Sequence, residues 1–82
     1  MHYIIEPCAT AKAFEIKFGK TLDLEKLAGK FKENEVFSLT KVVLLVKINQ
    51  APVSIYASGR AMVKEATKEE TQKIAEKLGK MV

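Results

Sequence analysis

The chain has 82 residues, 48% hydrophobic and 29% charged, with a formal net charge of +4. These figures suit one small globular domain with a modest core, and they argue against a second domain or a disordered chain. Cys8 is the only cysteine, which excludes a disulfide scaffold, and no apolar run approaches the ~20 residues of a membrane-spanning helix.

Met1 to Glu6 shows neither a basic nor an apolar leader region, so a cytoplasmic protein is expected. From Ala9 to Phe18 the residues alternate. Period two makes this a strand, with Phe14, Ile16 and Phe18 on a core face and Ala9, Ala11, Ala13, Glu15 and Lys17 on the other. Pro7 marks a sheet edge or the start of that strand. Thr21 is a candidate N-cap, and Leu24, Leu27, Ala28 and Phe31 follow at helical spacing, which predicts a first helix over 22–32.

A strand-rich block follows. Strands are expected over Val36–Leu39, Lys41–Ile48, Val53–Ala57 and Ala61–Lys64. Asn49 to Pro52 reads as a turn, and Ser58-Gly59 as a two-residue hairpin signal. Thr67 and Glu70 have capping-box spacing. Thr71, Ile74, Ala75, Leu78, Met81 and Val82 then form the buried stripe of a second helix over 67–81. The expected fold is α+β, in the order β-α-β-β-β-β-α. A curved five-stranded antiparallel sheet carries both helices on one face and leaves the other open.

No catalytic set is visible. Gly19-Lys20-Thr21 imitates the end of a phosphate-binding loop, but Phe14 stands where the motif needs glycine. His2 is the lone histidine, which gives Cys8 no evident base and a metal no ligand cluster. The expectation is a non-enzymatic protein without cofactor or metal.

The positive charge is localised. No acidic residue occurs from Val36 to Lys64, where Lys41, Lys47, Arg60 and Lys64 lie. The remaining charges cancel, so this segment is the one that attracts anions. Such charge either serves solubility or binds nucleic acid.

The order of elements and two stretches resemble one repeat of the TATA-box-binding protein core domain. One stretch is Val53 to Val82, with an aromatic strand, Ser58-Gly59-Arg60, a short strand and the Thr67-Lys68-Glu69-Glu70 helix start. The other is Phe18 to Ala28, similar to the family's Leu-Gly-x-x-Leu-Asp-Leu segment, and Ile5-Glu6-Pro7 lies where the family often has Ile-Val-Pro.

The resemblance implies a transcription-related, DNA-binding saddle. Its sheet face lies on the minor groove, and aromatic wedges bend the duplex. Family members carry two repeats per chain. Here two copies are expected to pair through edge strands as a homodimer. Tyr56 takes one wedge position, Arg60 a basic position, and Met62 and Lys64 the positions of groove-touching Val and Thr. Ala11 replaces the base-contacting Asn and cannot donate to bases, so weak sequence specificity is expected. Lys47, Tyr56, Arg60, Met62 and Lys64 form the candidate nucleic-acid site. The alternative is a protein-interaction or dimerisation domain, because Val43, Leu45 and Met62 give the same face an apolar centre with a charged rim.

Overall fold

Strand alternation places every second side chain on one side of a sheet, and that side must be covered if it is apolar. The computed structural model describes residues 3–7 and 13–82. Its strands are β1 (Ile4–Pro7), β2 (Ala13–Lys17), β3 (Val36–Leu39), β4 (Val43–Ile48), β5 (Ala51–Tyr56) and β6 (Arg60–Lys64). Its helices are α1 (Leu24–Ala28) and α2 (Lys68–Met81), with a 3-10 turn over Glu33–Glu35. The strands form one antiparallel sheet in the order β1-β2-β6-β5-β4-β3.

One apolar cluster fills the space between sheet and helices. Ile16, Leu44, Val46, Ile48, Val53, Ile55, Ala61 and Val63 come from the strands. Leu24 and Leu27 of α1 and Ile74, Ala75 and Leu78 of α2 meet them. Both helices therefore lie on the same side of the sheet. The fold is α+β, and the expected order β-α-β-β-β-β-α holds from β2 onward.

Among the described residues the sheet has six strands rather than five. The additional strand, β1, pairs with β2 from Ile4 opposite Lys17 to Pro7 opposite Phe14. Pro7 can occupy it because β1 is an edge strand, where a missing N–H disrupts no second neighbour. Tyr3, just before β1, packs its ring 6.4 Å from that of Phe18. Of the expected core trio, Ile16 and Phe18 are buried. Phe14 is only half-buried, beside Pro7 at the end of the sheet. The expected strand residues 9–12, with Ala11, lie outside the described residues, as do His2 and Cys8.

The first helix is shorter than the periodicity implies. Asp23, not Thr21, is its N-cap, and accepts a hydrogen bond from the Lys26 backbone N–H at 3.2 Å. Ending at Ala28, it gives way to Gly29 and then to Lys30 N–H and Phe31 N–H, which bond three residues back to Leu27 and Ala28. Leu22 and Phe31 are buried, but outside the helix. Helical spacing thus marked burial correctly and overstated the helix.

The turns also differ. β4 and β5 are joined by Asn49 and Gln50 alone, both at positive φ (51° and 68°), as a tight primed hairpin turn requires. Pro52, expected in the loop, belongs to β5. It lies beyond the last β5–β6 pair, Val53 with Val63, where β5 has a neighbour on one side only. The β3–β4 turn starts β4 at Val43 rather than Lys41. There Thr40 Oγ1 accepts from the N–H groups of Val42 and Val43.

α2 follows its sequence closely. Thr67 Oγ1 accepts from Glu70 N–H at 3.1 Å, and Glu70 Oε1 accepts from Thr67 N–H at 3.0 Å. Thr71 is buried, and its hydroxyl donates to the Thr67 carbonyl at 2.9 Å, which satisfies it. Lys30 Nζ donates to the Met81 carbonyl and links the α1 region to the end of α2.

Two outcomes check this packing. Leu78→Ala should cost about 2–5 kcal/mol in denaturant unfolding, whereas exposed Lys77→Ala should cost little. Equal losses would mean that the stripe is misplaced. The Thr67 backbone N–H holds the Glu70 carboxyl below its ordinary value of 4.5, with help from the Thr67 side chain. A lowered folded-state pKa adds stability that is complete above 4.5 and is lost as acid protonates the group. Glu70→Gln should therefore flatten the decline of Tm on acidification, and an unchanged acid limb would contradict the cap's role.

Candidate nucleic-acid interface

Residues opposite one another in adjacent strands share a face. The pairs Glu15 with Met62, Lys17 with Arg60, Ala13 with Lys64, Ser54 with Met62 and Tyr56 with Arg60 define the side away from the helices. Val43 with Tyr56, Leu45 with Ser54 and Lys47 with Pro52 continue it across β4. Lys47, Tyr56, Arg60, Met62 and Lys64 therefore lie on one open face, on three adjacent strands. Tyr56 is 38% exposed and Leu45 36%, so the apolar centre of the face reaches solvent.

The basic groups differ in their surroundings. Arg60 Nε lies 3.5 Å from Glu15 Oε1. That oxygen is buried and makes no hydrogen bond among the described residues, so the guanidinium is its charge compensation. Lys17 Nζ is 3.1 Å from Glu6 Oε2. Among the described residues, Lys47 and Lys64 take part in no ion pair, and both are exposed. Arg60, expected as a basic member of the site, is thus partly offset by a carboxylate. Sequence spacing gives no sign of this pairing, because β2–β6 register alone brings Glu15 diagonally beside Arg60.

The β5–β6 hairpin positions Tyr56 and Arg60. Its connection is three residues, Ala57 to Gly59, not two. Gly59 adopts φ +100° and accepts from Phe18 N–H at 2.8 Å, while Ala57 accepts from Leu22 N–H at 2.9 Å. These bonds clamp the hairpin tip against the segment that leads to α1. Beside the tip, Glu15, Tyr56, Ser58, Arg60, Ala61 and Met62 line a shallow hollow.

Among the described residues there is no group of three or more His, Cys, Asp or Glu placed to hold a metal. No described helix is long and apolar enough to cross a membrane. No family model matches the chain, and neither a curated protein nor a solved structure matches it.

A Cβ on Gly59 would stand 1.9 Å from the Lys20 carbonyl oxygen, which is fixed backbone. Gly59→Ala should therefore cost at least about 1–3 kcal/mol in thermal or denaturant unfolding. A wild-type melting curve would show that the tip is not clamped.

Proposed function

We propose that this chain is a non-enzymatic nucleic-acid-binding module that lays its open sheet face against duplex DNA. The observation that carries this reading is the placement of Lys47, Lys64, Tyr56 and Met62 on the one sheet face that neither helix covers. Lys47 and Lys64 supply phosphate contacts, which attract any sequence alike. Tyr56 and Met62 supply stacking or wedging surface against bases. Sequence preference is weak, since phosphate contacts position a protein without reading bases. The fold we assign is one repeat of the TATA-box-binding type, preceded by β1. The order of elements from β2 onward and the position of Tyr56 support that assignment.

Arg60 contributes less than a free cation, because Glu15 already offsets it. The apolar centre at Val43, Leu45 and Met62 favours a second reading, a protein-interaction face. The two readings respond differently to salt.

Fluorescence titration with a random-sequence duplex at two salt concentrations tests the proposal. Lys64→Ala should weaken binding and reduce the slope of log affinity against log salt by about one. Tyr56→Ala should weaken binding with little change in slope. Glu15→Gln should strengthen binding by releasing Arg60. No binding by the wild type at low salt would remove the nucleic-acid reading and leave the protein-interaction one.

A further inference from the structure

A sheet ends in two edges, and soluble proteins usually guard both. Here one is guarded. β1 carries Pro7, which lacks an N–H, and Glu6, which is held by Lys17. The other edge, β3, has neither proline nor charge along Val36-Phe37-Ser38-Leu39. Phe37 is 62% exposed and Leu39 43%, and Val42 in the following turn is 67% exposed. Thr40 donates its backbone N–H to Val43 of β4 at 2.9 Å. Peptide groups alternate sides along a strand, so Leu39 directs its own N–H and C=O toward the free edge.

The sequence around β3 is complementary to itself when reversed. Glu33 and Glu35 precede the strand and Lys41 follows it. We infer that β3 pairs antiparallel with β3 of a second copy of this chain, about a two-fold axis at Ser38. In that register Phe37 faces Leu39 of the partner subunit, and the reciprocal pair buries the other two exposed side chains. The acidic start of one strand then meets the basic end of the other, and no like charges oppose. Apolar and opposite-charge cross-strand pairs are the ones that stabilise antiparallel sheets. A register slipped by one residue would set Phe37 against Ser38 of the partner subunit and lose that match. The bulge between Val36 and Ser38 restricts the pairing to a short stretch, so association is concentration-dependent. The pairing joins two sheets with both open faces on one side. It is independent of what those faces bind.

Sedimentation equilibrium without nucleic acid, from ~1 μM to ~1 mM, tests the pairing over the range of a modest interface. The wild type should move from the mass of one chain toward that of two. Phe37→Lys and Leu39→Lys should each weaken the dimer about tenfold or more, because each removes an apolar cross-strand pair twice by symmetry. Both sites are exposed, so the melting temperature at monomer concentrations should stay near that of the wild type. A cross-link gives a readout that needs no disruption. Ser38→Cys in a Cys8→Ala background should form a disulfide dimer on oxidation, since facing residues of an antiparallel pair lie within disulfide range. Ser54→Cys, in mid-sheet, should not. A wild type that keeps the mass of one chain throughout overturns the pairing. So does a dimer that fails to cross-link through Ser38→Cys.

Discussion

Every strand of an antiparallel sheet must place alternate side chains on two faces, and among the described residues only one face is covered. Ile16, Ile55, Leu44, Val63 and their neighbours are buried against Leu24, Leu27, Ile74 and Leu78. The same alternation then fixes where Lys47, Ser54, Tyr56, Met62 and Lys64 must point. A slip of one residue in β2, β4 or β6 would bury a lysine and expose a core isoleucine or valine. One-sided burial therefore holds the fold and presents the open face at once. The clamp of the β5–β6 tip on the segment around Phe18 and Leu22 adds precision where Tyr56 and Arg60 emerge.

The parts of the fold that were legible in the sequence are those with redundant local signals. α2 combines a capping box with a stripe of six residues, and its boundaries follow from Thr67 and the periodicity together. The two faces of β5 follow from the alternation of Val53 and Ile55 with Ser54 and Tyr56. Legibility failed where one signal served two structures. Phe31 keeps helical spacing with Leu24 and Leu27, yet it is buried from beyond the end of a short helix. β1 is four residues long and ends in proline, too short to show a period of its own. Its exposed Ile4 and half-buried Ile5 make sense only beside β2.

The candidate site was legible as a set of residues on one face and illegible in its electrostatics. Charge counting treats Arg60 as equal to Lys47 and Lys64. The structure separates them, because strand pairing brings Glu15 to Arg60 and Glu6 to Lys17. Such ion pairs across a sheet are non-local, and no spacing rule encodes them. Their consequence is a face whose available positive charge lies at Lys47 and Lys64, around an apolar centre. Exposed pairs of this kind add little stability. Their effect is on which cations remain to meet an anion.

The central claim is that the uncovered sheet face, and not the lysine-bearing outer side of α2, meets nucleic acid. Backbone and side-chain NMR shifts recorded while a short random duplex is added at low salt test it most directly. The account predicts perturbations concentrated in β4, β5 and β6, with the side chains of Tyr56 and Met62 among the strongest and α2 silent. Perturbations centred on Lys73, Lys77 and Lys80 of α2, with the open face unmoved, would contradict it.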